Sequence, residues 1–486
     1  MGSWFSNHSE RIRRNDFGDI PSATTLTIRG ITLMALCATG LFSCTPSLRT
    51  AGRDSNNRTR DTARPNVLVI VTDDQPLGTL AVMPKTRRWF ARGGVRFPNT
   101  FATTPVCCPS RSSIMTGQYA HNHGVKTNED SKRLNPKATV QKALTDLGYR
   151  TGIIGKYLNN WSADPPYFDE WATVSGRHLY FEGTWNVNGS EIDNHIYRTD
   201  YAARKALEFI ESSKELNSAQ PWFLMVAVEA PHSPYRPALK YERAQVPKWK
   251  PPPSVTERHK FDKPQYVRHA RSLRRTAARV RAGQLRTLMS VDDLMSDLSK
   301  ALHATGERKN TLVIFVSDNG YLWGDHGLLG APLSKGNPYT GSIAVPFLMA
   351  WPARYDGLNR DERLVTNVDI APTILDAVDA SAGRTDGRSL LDRTWVRRMV
   401  LMEFWQKVGE HRSTVPDWTS IRTRRYQYVE YTRGARVIDR EYYRLRRDPW
   451  QLQNLLGDLE RSNDPDIGRL HRVLRRAQRC KGTTCP

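Results

Sequence analysis

The sequence has few cysteines for its length, only six in 486 residues. They occur as three pairs of nearby positions: Cys37 and Cys44, Cys107 and Cys108, and Cys480 and Cys485. So few cysteines exclude a disulfide framework, and the 39% of hydrophobic residues allow a sizeable buried core instead. The C-terminal pair could close a small ring in an oxidising compartment, or it could remain two thiols on a loose tail.

Long apolar runs are also lacking, and none after the N-terminal region is long enough to cross a membrane. The apolar run 31–42 follows several arginines, which is the pattern of a secretory signal. It ends in Leu41-Phe42-Ser43-Cys44, which resembles a bacterial lipobox except for the phenylalanine. We predict a leader over 1–44, with or without a lipid anchor on Cys44, and a flexible tether over 45–63. The protein is thus expected to be secreted or at the cell surface.

Acidic residues are scarce relative to basic ones, with 49 Asp and Glu against 72 Lys and Arg, a formal net charge of +23. Such a surface attracts nucleic acid, anionic lipid or sulfated polysaccharide, unless the excess only reflects an arginine-rich composition. Residues 258–286 concentrate this charge, with ten Lys or Arg and a single acid, Asp262. The segment is either a solvated surface helix or a basic rim for an anionic polymer.

Continuous apolar, β-branched runs predict strands that are buried on both faces of a parallel sheet. Four such runs occur, at 67–71, 222–228, 312–316 and 400–402. Apolar residues at helical spacing in 137–147 and 201–210 predict helices between the strands. The alternation indicates an α/β fold, with a large, mostly parallel sheet sandwiched by helices.

The C-terminal part of the sequence follows a different pattern. Aromatic residues alternate as in strands over 418–447, and a helical, arginine-rich tail follows over 464–479. We therefore predict a main domain over 64–392 and a smaller α+β subdomain with a basic tail over 393–486.

Polar side chains follow three of the predicted strands. Asp73 and Asp74 follow the first strand, His232 follows the second, and Asp318 and Asn319 follow the third. Ligands of such sheets bind beyond the carboxyl ends of the strands, so these side chains are expected at one edge. Carboxylate and amide oxygens are hard ligands, which suit Ca²⁺ or Mg²⁺ better than a soft metal.

The most specific motif is Cys107-Cys108-Pro109-Ser110-Arg111, followed by Thr116 and Gly117. It closely resembles the signature of the sulfatases, C-x-P-S-R followed by an apolar residue, Thr and Gly. The register assigns Cys107, because counting from Cys108 would place Ser110 where proline is required. Outside this motif, an adjacent cysteine pair would be interpreted as buried thiols or as a redox site.

The resemblance implies that a formylglycine-generating enzyme oxidises Cys107 to formylglycine (3-oxoalanine). One hydroxyl of the aldehyde hydrate would attack sulfur, and the second would expel sulfate and restore the aldehyde. Arg111 would fix the hydrate and offset nearby negative charge. The resemblance also implies a Ca²⁺ or Mg²⁺ ion held by the oxygen derived from Cys107 together with Asp73, Asp74, Asp318 and Asn319.

Three cationic side chains match the positions at which sulfatases bind the sulfate group, namely Lys156, His232 and Lys335. His232 would also protonate the leaving oxygen, because Leu158 stands where many sulfatases carry a histidine. The resemblance places His123 near the pocket as well, although Gly124 after it equally favours an ordinary helix terminus.

The resemblance covers about 64–458, is nearest to the N-acetylglucosamine-6-sulfatase branch, and implies an alkaline-phosphatase-like fold. The implied function is hydrolysis of a sulfate ester, either of a sulfated carbohydrate or of an aryl sulfate. Two alternatives stay open: a phosphoester or phosphonate hydrolase of the same superfamily, and a non-catalytic surface protein that binds sulfated glycans. No nucleic-acid partner is expected, because export and a metal–aldehyde site have no role in binding one.

Overall fold

The computed structural model describes residues 64–176, 180–330, 333–355, 357–406 and 415–486. The predicted leader and tether, with Cys44, lie outside the described residues. No helix in the described part of the chain is long and apolar enough to cross a membrane.

Sixteen strands occur in the described residues. In chain order they are β1 (Asn66–Thr72), β2 (Gly94–Arg96), β3 (Thr100–Phe101), β4 (Arg150–Gly155), β5 (Glu170–Val174), β6 (Gly183–Val187), β7 (Ser190–Asn194), β8 (Trp222–Ala227), β9 (Thr311–Ser317), β10 (Phe347–Ala350), β11 (Leu358–Arg360), β12 (Val365–Thr366), β13 (Val400–Phe404), β14 (Asp417–Arg422), β15 (Gln427–Arg433) and β16 (Arg436–Tyr443).

Ten α-helices occur in the same residues. They are α1 (Pro84–Phe90), α2 (Cys107–Thr116), α3 (Ala120–His123), α4 (Val140–Asp146), α5 (Arg198–Leu216), α6 (Gln265–Arg268), α7 (Arg274–Ala304), α8 (Thr340–Ile343), α9 (Ile370–Ala377) and α10 (Ile467–Ala477). The helices predicted in 137–147 and 201–210 are thus present as α4 and α5.

Ten strands form one sheet, in the order β11-β2-β10-β9-β1-β8-β4-β5-β6-β7. The five central strands, from β9 to β5, all run parallel, as predicted. The edges are mixed, because β10 is antiparallel to β9, and β6 and β7 form an antiparallel hairpin beside β5. The three predicted strands that precede polar residues are β1, β8 and β9, which are neighbours in the sheet.

Both faces of the central strands are buried, which explains their continuous apolar sequence. In β1, Val67, Val69 and Val71 pack with α2, α4 and α9 on one face of the sheet. Leu68 and Ile70 alternate with them and pack with α1, α5 and α7 on the other face. The result is the three-layer α/β architecture that the sequence predicts.

The remaining large element is a four-stranded antiparallel sheet, in the order β13-β14-β15-β16. The apolar run 400–402, predicted together with the parallel strands, lies in β13 of this second sheet and not in the main one. One face packs with Leu470 and Leu474 of α10, and the other with Phe101, Ile343 and Ala344. A disulfide joins Cys480 to Cys485 beside α10, so the terminal pair forms the ring and not two free thiols.

Candidate active site

Four neighbouring parallel strands end at one edge of the main sheet, and each is followed by a predicted site residue. Their register is set by Thr72 opposite Ser317, Val71 opposite Ala227 and Gly155 opposite Ala227. Asp73 and Asp74 follow β1, His232 follows β8, and Asp318 and Asn319 follow β9, as the sequence predicts. Lys156 follows β4, which adds a fourth strand that the sequence analysis did not recognise.

Gly155 gives Lys156 its position. Its φ is +98°, and a Cβ atom there would lie 2.1 Å from the carbonyl oxygen of Ala227, so only glycine fits. The Lys156 backbone N–H then donates to the same Ala227 carbonyl oxygen at 2.8 Å. The chain thus turns directly from the end of β4 into the site.

The three carboxylates of the cluster are fully buried. Oxygen atoms of Asp73, Asp74 and Asp318 lie within 4.8 Å of one another. Asp74 has a left-handed φ of +64°, which is uncommon outside glycine and often marks a functional position. Its backbone N–H donates to Oδ1 of Asp318 at 3.1 Å and so links the ends of β1 and β9.

Helix α2 brings the cysteine motif into this cluster. Cys107 is its first residue, and its Sγ lies 3.4 Å from Oδ1 of Asp73. One turn later, Arg111 donates from Nε to Oδ2 of Asp318 at 2.9 Å and from an Nη atom to Asp73 at 3.3 Å. Arg111 is completely buried, so removing it would leave two buried carboxylates without their guanidinium partner.

The predicted sulfate-binding cations reach the same place. Nζ of Lys156 forms an ion pair with Oδ2 of Asp73. Nζ of Lys335 lies 2.7 Å from Oδ1 of Asp74 and 3.1 Å from Sγ of Cys107. Nε2 of His232 lies 3.8 Å from Oδ2 of Asp74. Lys335, which the sequence supported only through the resemblance, is therefore in contact with Asp74 and Cys107.

Burial and charge act in opposite directions on these groups. Burial alone would raise the pKa of Asp73, but Lys156, His232 and Arg111 hold that pKa well below its usual value. Burial and the charge of Asp73 raise the pKa of Asp318 to about 6, against the effect of Arg111. Asp73 thus stays ionised more readily than Asp318.

The same causes act on Cys107. Burial and the charge of Asp73 raise the pKa of its thiol well above the usual value, despite Lys156 and Lys335. A thiol in this arrangement is protonated at neutral pH and is a poor nucleophile. In this geometry, the unmodified thiol of Cys107 therefore has low reactivity as a nucleophile.

The donor set fits a hard dication. Asp73, Asp74 and Asp318 supply carboxylate oxygens, and the Nδ2 of Asn319 donates to Oδ1 of Asp74 at 2.7 Å. The buried Oδ1 of Asn319 has no hydrogen-bond partner among the described residues. A buried acceptor without a donor is costly, and a cation bound beside it would satisfy it. Oxygen ligands in this number suit Ca²⁺ or Mg²⁺.

His123 is not brought to this cluster. It ends α3, where Gly124 with φ +82° closes the helix, the ordinary role that the sequence left open. Its Nε2 lies 3.1 Å from Oγ of Ser113, and its Nδ1 accepts from the N–H of Val125 at 3.1 Å. Burial lowers its pKa to about 3, so it is a neutral, internally bonded side chain.

The sequence analysis missed the residues that fix the position of the loop 335–340, which carries Lys335 and is called the loop of Lys335 below. The C-terminal subdomain binds this loop through five side chains, all hydrogen-bonded to residues 336–340. Nε1 of Trp418 donates to O of Gly336 at 2.8 Å, and Nε2 of Gln427 donates to O of Pro338 at 2.6 Å. The other bonds join Tyr339 to Glu441, and Thr340 to both Gln451 and Arg422. No local sequence signal marks these contacts, since their partners lie tens of residues apart in the chain.

Comparison with known proteins is consistent with this geometry. The model of the family described as Sulfatase matches residues 65–380, and a model described as N-sulphoglucosamine sulphohydrolase, C-terminal, matches residues 324–479. Human N-acetylglucosamine-6-sulfatase is 30% identical over 492 residues, which cover 87% of this chain and 86% of the relative. The extracellular sulfatase SULF-1 homolog of Drosophila melanogaster is 33% identical over 384 residues, which cover 74% of this chain.

The chain spans only 34% of the length of the Drosophila relative and 58% of that of a similar Caenorhabditis elegans protein. Among solved structures, a protein in complex with its substrate D-glucosamine-2-N,6-O-disulfate shares the fold, with a TM-score of 0.72 at 23% identity. The match covers 85% of this chain and 97% of that one. The family model spans more than half of the sequence and includes the cysteine motif and the acid cluster. The chain therefore belongs to the sulfatase family.

Proposed function

We propose that the protein hydrolyses sulfate esters, with formylglycine derived from Cys107 as the nucleophile. The observation that carries this proposal is the position of Cys107, whose Sγ lies 3.4 Å from Oδ1 of Asp73 and 3.1 Å from Nζ of Lys335. A nucleophile there would be close both to the acidic oxygens and to a cation for the sulfate. When hydrated, formylglycine supplies one hydroxyl to attack sulfur and a second to release sulfate.

The acidic side chains form a site for a dication, which we propose to be Ca²⁺, with Mg²⁺ as the alternative. Asp73, Asp74, Asp318 and Asn319 would hold it, and the ion would offset the negative charge of sulfate. In the structure, Lys156 forms an ion pair with Asp73, and Lys335 forms one with Asp74. With a dication on those carboxylates, both ammonium groups are available for the non-bridging sulfate oxygens.

Two further side chains have separate roles in the proposed reaction. Arg111 is rigid, because its guanidinium bonds Asp73, Asp318 and the Lys156 carbonyl oxygen, so it fixes the orientation of the nucleophile. His232 lies beside Asp74 on the same edge and is partly exposed, unlike the acids. Its imidazole would donate a proton to the leaving oxygen.

We propose a sulfated carbohydrate as the natural substrate, with aryl sulfates as small test substrates. The support is the identity to N-acetylglucosamine-6-sulfatases across most of the chain. We further propose that the enzyme acts outside the cytoplasm after export, because the N-terminal pattern is that of a signal and two relatives are named extracellular sulfatases. Lipidation of Cys44 would add a membrane anchor.

The test compares matched aryl sulfate and aryl phosphate esters, using protein co-expressed with a formylglycine-generating enzyme and loaded with Ca²⁺. We expect faster hydrolysis of the sulfate, and a loss of about a thousandfold or more in Cys107→Ala, as when another catalytic nucleophile is removed. Cys108→Ala is the matched control, since it removes the neighbouring thiol, which accepts from the Asn159 N–H and does not contact the acid cluster. Preference for the phosphate ester would assign the chain to the phosphoester hydrolases of the superfamily. Equal activity of Cys107→Ala would refute the proposal.

A further inference from the structure

Four arginines form an exposed strip at the start of the longest helix. Arg271 lies just before α7, and Arg274, Arg275 and Arg279 lie in its first two turns. All four side chains are exposed. Arg275 and Arg279 lie four residues apart in α7, so they project from the same side of the helix. We call these four residues the basic strip.

The charges of the basic strip are not paired with acids in the described part of the chain. In the part of the chain that the structure describes, no carboxylate forms an ion pair with any of its four arginines. The single acid of the segment, Asp262, is buried and bonds instead to Lys263 and to the backbone N–H of Asn454. A solvated helix of ordinary composition offsets such charges with acids three or four residues away. The strip is therefore an uncompensated cationic surface.

The basic strip adjoins the active site through the loop 320–327, which directly follows Asp318 and Asn319. Gly327 has a φ of +82°, and a Cβ atom there would lie 3.1 Å from the carbonyl oxygens of Ala270 and Arg271. The backbone at the start of the strip therefore lies directly against the backbone of the loop at Gly327, with no side chain between them. Near the start of the loop, the hydroxyl of Tyr321 lies 2.6 Å from that of Tyr235, three residues after His232. The loop that follows Asp318 and Asn319 thus approaches the start of the strip at Gly327 and contacts Tyr235, after His232, at Tyr321.

We propose that the basic strip binds a sulfated polysaccharide chain and holds it across the active site. This inference rests on the proposed sulfatase function and adds that the substrate is a polymer and not only a single sulfated sugar. Guanidinium groups bind sulfate oxygens through paired, charge-assisted hydrogen bonds. A row of such groups next to the catalytic cluster raises the local concentration of polyanion at the site.

The experiment uses two quadruple variants of the full chain, each of which removes four exposed arginines. The first is R271A/R274A/R275A/R279A, in the strip. The matched control is R469A/R472A/R475A/R476A, which removes the same charge from the exposed face of α10, on the C-terminal subdomain. Two readouts are taken: the salt concentration that elutes each protein from immobilised heparin, and, at physiological ionic strength, the ratio of sulfate release from heparin to hydrolysis of an aryl sulfate.

We expect the strip variant to elute at lower salt than the control and its rate ratio to fall about tenfold, whereas the control keeps the parent ratio. Equal elution of both variants, or an unchanged ratio in the strip variant, would overturn the proposal. Duplex DNA is tested in parallel, and loss of DNA binding alone would assign the strip to nucleic acid and overturn it too. Failure of the proposed function is distinguishable, because the parent protein would then hydrolyse no aryl sulfate while heparin binding could still be compared.

Discussion

The contact between Trp418 and the loop of Lys335 provides a quantitative test of how the C-terminal subdomain contributes to the active site. Trp418→Phe keeps a buried aromatic ring but removes the Nε1–H that donates to O of Gly336. Gly336 is adjacent to Lys335, whose Nζ contacts Asp74 and Cys107. Leaving a buried carbonyl oxygen without its donor costs about 1–3 kcal/mol. If the loop relaxes to recover that bond, Lys335 moves.

The magnitude follows from this cost. If about 1.4 kcal/mol of it is expressed at Lys335, kcat/KM for an aryl sulfate falls about tenfold in Trp418→Phe. The effect depends on Lys335, so it should be nearly absent when the same change is made in Lys335→Ala. The assay is a double-mutant cycle, which compares kcat/KM for the parent, both single variants and the double variant.

A structural effect unrelated to Lys335 would lower activity by the same factor in both backgrounds. Additivity to within about 0.5 kcal/mol would therefore refute the reasoning. Tyr428→Phe is the control, because it removes the bond from the Tyr428 hydroxyl to Glu430 in the same sheet, on the side that packs against α10. We expect it to change kcat/KM by less than about twofold.

Three further predictions concern the metal, the terminal ring and pH. Removal of Ca²⁺ and Mg²⁺ by a chelator should lower the melting temperature and abolish activity, both restored by adding Ca²⁺; an identical melting curve would contradict the dication site. The variant C480S/C485S should lose about 2 kcal/mol of unfolding free energy in urea, the value expected for so short a ring, and an unchanged midpoint would contradict this. Burial alone would lower the pKa of His121, but its hydrogen bond and ion pair with Glu403 raise it. The pair then stabilises the fold fully below about pH 6.5, and this stabilisation is lost as the pH rises through the raised pKa. The difference in unfolding free energy between the parent and His121→Gln should therefore shrink with rising pH. A difference that stays constant with pH would refute this prediction.

The parts of the fold that the sequence predicted are those with strong local patterns. The continuous apolar run of β1 could only be buried on both faces, and the acids after it had to lie at the sheet edge. The hairpin of β6 and β7 was missed, although its turn at Asn188 and Gly189, both with positive φ, is a known hairpin signal. The strands themselves are polar and partly exposed, so they carry no apolar run.

The sequence predicted the parts of the site that follow strand ends or belong to the cysteine motif. Lys335 follows no strand, and only the family resemblance pointed to it. Its position depends on Trp418, some eighty residues later, and no local pattern reports a contact at that separation. The apolar run 400–402 shows the same limit, because a short buried strand has the same sequence pattern in either sheet. The boundary at 392–393 stays a prediction.

The most direct test of the central claim is the chemical state of residue 107 in active protein. The tryptic peptide that contains Cys107, from enzyme made with a formylglycine-generating partner, is analysed by mass spectrometry alongside the specific activity of each preparation. The account predicts an aldehyde at residue 107, a thiol at Cys108, and activity that rises in proportion to the aldehyde fraction. Full activity in a preparation whose residue 107 is entirely thiol would contradict it.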